Sequence, residues 1–110
     1  MLAKNNRLTK DRDFKRVWAK GNTFKGNFIY IKFNQNTTNQ NRFGVVISKK
    51  NVAHAVDRNK VKRRMRYIIQ KHIDNVPSKL DIIINFSNNI MQASYKDLEN
   101  DYLGFVRRIN

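Results

Sequence analysis

The chain has 110 residues, with 23 Lys and Arg against eight Asp and Glu, a formal charge of +15 and no cysteine. That length suits one small domain burying about two-thirds of its unfolded surface, and seven Phe, four Tyr and one Trp within a 40% hydrophobic content supply a core. The missing cysteines exclude a disulfide scaffold, a thiolate nucleophile and a Cys-based zinc or iron–sulfur site, while the lack of a bilayer-length apolar run or a signal-peptide core over Met1–Lys20 predicts a cytoplasmic protein without a membrane partner.

Thr9 is placed to cap a helix over residues 10–20, with Asp11 and Asp13 at the positive end of its dipole and Gly21 ending it in the left-handed conformation. Phe14, Val17 and Trp18 share one face of that helix at i, i+3 and i+4, a spacing that most often marks a core stripe. Residues 28–33, rich in aromatic and β-branched side chains, read as a strand, and the polar tract 34–41 as its connection to a returning strand over 42–48. The Val45-Val46-Ile47 run predicts burial on both faces of that strand. A short additional strand near residues 23–25 is compatible with the pattern. Helical periodicity returns over residues 57–73 and stops at Asp74-Asn75-Val76-Pro77-Ser78. Residues 80–86 form another strand, and Ser94 with Asp97 three positions on opens a last helix running to about residue 108. The order α-β-β-(β)-α-β-α predicts an α+β sandwich, a small mixed sheet covered by helices, with residues 1–110 as a single domain.

The charge is concentrated. Residues 1–25 carry eight basic and two acidic side chains and residues 49–66 carry eight basic ones against Asp57, whereas the five basic side chains beyond residue 66 meet five acidic ones. If the two basic segments meet in the fold they form one basic face, the electrostatic footprint of nucleic-acid binding. In the second segment, an advance of 100° per residue gathers Val61, Met65, Ile68, Ile69 and His72 on a core face. Asn59, Lys62, Arg63 and Arg66 fall on a separate stripe. Arg presents a planar fork to phosphate oxygens, Lys a mobile charge, and Asn both a donor and an acceptor. Arg58 sits beside the apolar stripe, and Lys60 and Arg64 face solvent on the third side.

The spacing Arg58-Asn59-x-x-Lys62-Arg63-x-x-Arg66, preceded by Ser48-Lys49-Lys50, resembles the signature of the protein subunit of bacterial ribonuclease P. Arg7-Leu8 with Asp13-Phe14, the strand Phe43-Gly44-Val45-Val46-Ile47 and the Ile-rich strand 82–84 follow in the same order, so the resemblance spans essentially the whole chain. It implies a subunit of an endoribonuclease whose large RNA carries the Mg²⁺-dependent hydrolysis that removes the 5′ leader from precursor tRNA. Ribonuclease P RNA is then the obligatory partner, precursor tRNA the substrate, and no protein partner is required. Lys49, Lys50, Arg58, Asn59, Lys62, Arg63 and Arg66 would contact the catalytic RNA. Phe14, Trp18, Phe28 and Tyr30 would line a cleft for the single-stranded leader, with Trp18 standing where the family pattern has phenylalanine. Asn51-Val52-Ala53-His54 lacks the glycine found in some members, which leaves the conformation of that loop open.

Catalysis by the protein itself would need paired carboxylates, a Ser/His/acid set or a metal cluster, and the spacing offers none. Asp97, Glu99 and Asp101 point apart on a helix, and His72 reads as structural. Two other classes stay open on sequence alone: a ribosomal or assembly protein that binds structured RNA, and an autonomous nuclease. A double-stranded DNA binder lacks a helix-turn-helix or zinc-finger pattern.

Overall fold

The computed structural model describes residues 3–77 and 79–110. In chain order it contains α1 (Asp11–Lys20), β1 (Asn22–Lys25), β2 (Ile29–Gln35), β3 (Arg42–Val46), α2 (Ala55–Lys71), β4 (Leu80–Phe86) and α3 (Tyr95–Ile109), with single 3-10 turns at Lys4–Asn6, Ile73–Asn75 and Ile90–Gln92. The α+β reading holds, and the optional strand at residues 23–25 is β1. Ser78, assigned to the turn after α2, lies outside the described residues.

The strands form one sheet in the order β1-β2-β4-β3. β2 pairs antiparallel with β1 and β4, whereas β3 runs parallel to β4 and needs α2 as its crossover. Alternation along β4 divides the molecule into two layers. Ile82, Ile84 and Phe86 join Val61, Met65, Ile68 and Ile69 of α2 and Leu98, Tyr102 and Phe105 of α3 in the main core. Ile83 faces the other way, into a smaller cluster with Leu8 and Val17, against which Phe14 packs. Helix α1 therefore covers one face of the sheet, and α2 and α3 the other. The two basic segments do not merge into one face: the sheet stands between them.

Several local expectations change. Helix α1 has Lys10 at its N-cap with no side-chain cap bond, not Thr9, and Gly21 has φ −77°, outside the left-handed region. Glycine is needed there for space, since a Cβ at Gly21 would stand 2.4 Å from the Val17 carbonyl oxygen and 3.0 Å from that of Phe33. Strand β3 ends at Val46 instead of residue 48, and it is not buried on both faces. Val45 and Ile47 pack on the main core, whereas Val46 turns to the α1 side and stays 40% exposed. Helix α2 spans Ala55–Lys71, two residues earlier at each end than expected. The capping box of α3 forms as expected: Asp97 N–H donates to Ser94 Oγ at 3.1 Å, and Ser94 N–H donates to Asp97 Oδ2 at 2.9 Å.

Candidate nucleic-acid interface

The α1 face of the sheet is built from three rows of side chains, fixed by strand register. Asn34, Asp81 and Arg42 form one row; Thr23, Lys32, Ile83 and Gly44 the next; Lys25, Tyr30, Asn85 and Val46 the third. Helix α1 engages the first two. Arg16 bonds to Asp81 in the first row, and Asp13 pairs with Arg42 at 3.4 Å. In the second row Val17 packs on Ile83, and the Phe14 ring fills the space a side chain at Gly44 would need, 2.7 Å from the position of its Cβ. Trp18 lies beside the same row, with Lys32 Nζ 5.9 Å from its ring centroid.

The third row stays open at Lys25 and Val46, with Tyr30 half-buried between them. Beside the aromatic side of α1 the sheet is thus left partly uncovered, at the place where a leader cleft is expected. Trp18 is 42% exposed, so it is not an ordinary core residue; Val17 is fully enclosed and is. Phe14 is half-buried, joined to the small cluster but not closed over by it. Asn85 is 5% exposed and its Nδ2 has no hydrogen-bond partner. This enclosed, unpaired donor in the third row is one that sequence reasoning missed. Its signal was a carboxamide interrupting the apolar run Ile82-Ile83-Ile84-Asn85-Phe86 of a central strand.

Phe28 does not belong to this cleft. Its ring packs against the main core on the α2/α3 side, because its backbone is held from that side. The Asp101 carboxylate of α3 accepts from the N–H groups of Asn27, Phe28 and Ile29 at 3.1, 2.6 and 3.2 Å. Gly26 admits that carboxylate, which would lie 2.8 Å from a Cβ there.

On the opposite layer, Val61, Met65, Ile68 and Ile69 are buried as the periodicity required, leaving Asn59, Arg63 and Arg66 exposed and Lys62 half-buried. Asn59, Arg63 and Arg66 line a groove of about 440 Å³, and the fourth lining residue is Tyr67. Tyr67 was missed although it stands eight residues after Asn59 and four after Arg63, on the same helical face. Among the described residues no carboxylate pairs with Lys62, Arg63 or Arg66, which are free to bind an external anion.

Lys49 and Lys50 are exposed in a turn closed by Val52 N–H on the Ser48 carbonyl oxygen at 3.1 Å. Arg58 is different: its Nη1 donates to the carbonyl oxygens of Val52 and Ala53 at 2.9 and 2.8 Å. It braces the loop carrying the two lysines. Asn51 Nδ2 adds a bond to the Phe86 carbonyl oxygen at 2.8 Å, and Val52 is buried beneath. These contacts fix the loop without a glycine.

Five of the eight carboxylates have internal duties. Asp13 and Asp81 hold guanidinium groups, Asp97 caps α3 and Asp101 holds the β1–β2 turn. Glu99 accepts from His72 Nε2 at 2.8 Å and Lys71 Nζ at 2.9 Å, contacts that hold its carboxyl below the usual range, the His72 bond most strongly. Among the described residues no three His, Asp or Glu side chains gather to hold a metal, and no helix is long and apolar enough to cross a membrane.

The profile of the Ribonuclease P family matches residues 2–110. The ribonuclease P protein component of Syntrophomonas wolfei is 32% identical over 108 residues, covering 98% of this chain and 90% of its own. That of Fusobacterium nucleatum is 39% identical over 100 residues, covering 87% and 89%. Among solved structures, the RNase P protein of Staphylococcus aureus has a TM-score of 0.84 at 26% identity, over 96% of this chain and 98% of its own. The Thermotoga maritima RNase P protein shares the fold, with a TM-score of 0.83 at 24% identity over 94% and 97%. With its signature helix, its layered sheet and these matches along nearly its whole length, the chain belongs to the ribonuclease P protein family.

Proposed function

We propose that this chain is the protein subunit of a ribonuclease P ribonucleoprotein, in which a catalytic RNA removes the 5′ leader of precursor tRNA and the protein holds both RNAs. Residues 1–110 act as one cytoplasmic RNA-binding domain with no obligatory protein partner. The observation that carries the reading is the separation of two basic, aromatic-bearing surfaces by one sheet. Each serves a different RNA.

The α2 surface, with Asn59, Lys62, Arg63 and Arg66 and the loop lysines Lys49 and Lys50, docks on the folded catalytic RNA. Arg58 supports it by fixing the loop. The α1 surface takes the single-stranded leader, which offers unpaired bases to Phe14, Trp18 and Tyr30 and phosphates to Lys25 and Lys32. Stacking on an aromatic face tolerates any base and is worth about 1–3 kcal/mol each, as suits leaders of varied sequence. Asn85 adds a hydrogen-bonding group whose amide, by a half-turn, presents either donor or acceptor. RNA phosphates would hold the magnesium ions, which would supply the activation of water for hydrolysis, while in the protein Asp13, Asp81, Asp97, Asp101 and Glu99 are engaged by guanidinium, backbone, His72 or Lys71 partners.

The test is the affinity of reconstituted RNA, with and without this protein, for precursor and for mature tRNA. The protein is expected to raise affinity for the precursor selectively. An equal increase for both tRNAs, or none, would refute a leader-binding role.

A further inference from the structure

Of seven Phe, four Tyr and one Trp, only Trp18 and Tyr67 are exposed, at 42% and 62%. Trp18 belongs to the leader cleft. Tyr67 lies on the other layer, in the groove that Asn59, Arg63 and Arg66 complete. Its ring is positioned from one side by Tyr95, the first residue of α3, at a centroid distance of 6.1 Å and a tilt of 55°. Most of the remaining surface is open. Because residues 59, 63, 66 and 67 fall within about 100° of arc on α2, the ring stands beside guanidinium groups that no carboxylate among the described residues engages.

We propose that Tyr67 is a stacking platform for an unpaired base of the catalytic RNA, with Arg63 and Arg66 on the flanking phosphates and Asn59 within reach of the base edge or sugar. The proposal rests on α2 being the face toward that RNA. A platform for an extruded base differs from phosphate contact alone. It requires a single-stranded or bulged nucleotide at this point, and it adds an interaction that salt does not screen. A π-face held beside cationic forks is how sequence-tolerant single-strand sites are built. Being largely exposed, the ring adds little to folding, so replacing it leaves the fold intact.

The experiment titrates bacterial ribonuclease P RNA with the full chain and its Tyr67→Ala, Tyr67→Leu, Tyr67→Phe and Arg63→Ala variants across a range of salt. Tyr67→Ala and Tyr67→Leu are expected to weaken binding between about fivefold and a hundredfold with the salt slope unchanged, while Tyr67→Phe stays near the parent. Arg63→Ala should lower the slope by about one. Tyr67→Ala or Tyr67→Leu binding like the parent while Arg63→Ala is weakened would overturn the platform and keep the RNA face. If neither Tyr67→Ala nor Arg63→Ala has an effect, α2 does not face this RNA. Loss of precursor-tRNA binding alone would place Tyr67 on the substrate and also overturn the proposal.

Discussion

Arg42 grips Asp81 in two places, its Nε and Nη2 donating to the two carboxylate oxygens at 2.8 and 2.7 Å, with Asp81 wholly enclosed between sheet and helix. Arg16 of α1 bonds to the same carboxylate, and Asn36 Nδ2 donates to it at 2.9 Å. One carboxylate thus ties α1, β3 and the loop after β2 to the central strand. It also engages two of the arginines, so the charge available to RNA is less than the composition suggests.

Asp81→Ala should destabilise the fold by about 2–4 kcal/mol, because it leaves two guanidinium groups facing a cavity. The figure lies below that for a fully enclosed pair because 20% of Arg42 and 37% of the Arg16 side chain keep contact with water. Denaturant unfolding measures it. A change within a few tenths of a kcal/mol would mean that the two arginines find solvent or other partners.

Gly44→Ala joins stability to substrate selection. A methyl there meets the Phe14 ring at 2.7 Å, so helix α1 must lift or the ring must rotate, at about 1–3 kcal/mol. The variant should be less stable and should also lose preference for leader-bearing over mature tRNA. Retained preference alongside lower stability would separate Phe14 from the leader.

The enclosed donor of Asn85 makes the opposite prediction. A buried donor without a partner costs about 1–3 kcal/mol, and an apolar replacement of similar size removes that cost. Asn85→Leu is therefore expected to raise the thermal midpoint of the free protein while lowering precursor affinity in the holoenzyme. A lowered midpoint would show that the carboxamide has a structural partner.

Acid should weaken the tie between α2 and α3. The Glu99 carboxyl is held below its ordinary value by its bonds to His72 and Lys71, so its contribution is complete above the unfolded carboxyl pKa of about 4.3 and is lost as pH falls through the folded value. The difference in thermal midpoint between the parent and Glu99→Gln is expected to shrink toward zero on acidification. A difference independent of pH would mean that ionisation of Glu99 adds nothing.

The elements were legible wherever one periodicity dominated: the apolar stripe of α2, the Ile-rich β4 and the Ser94–Asp97 box all stand as read. What misled was local chemistry set by distant contacts. Gly21 resembles a left-handed cap until Phe33 is seen to crowd it, and Val46 resembles a core residue until the α1 face opens beside it. Phe28 resembles its neighbour Tyr30, but Asp101, more than 70 residues away, holds its backbone from the main-core side. The donor stripe of α2 was legible as charge, whereas Tyr67 passed unnoticed because an aromatic outside the apolar stripe gains meaning only from its surroundings. The bonds of Arg58 to the loop could not be read from helical phase at all.

The most direct measurement is cleavage of a leader-bearing tRNA at low Mg²⁺ by bacterial ribonuclease P RNA alone, by this protein alone, and by the two together. Cleavage at the mature 5′ end only when both are present is the result expected of a protein that holds both RNAs and leaves the chemistry to one of them. Cleavage by the protein alone, or no rescue despite tight RNA binding, would contradict that account.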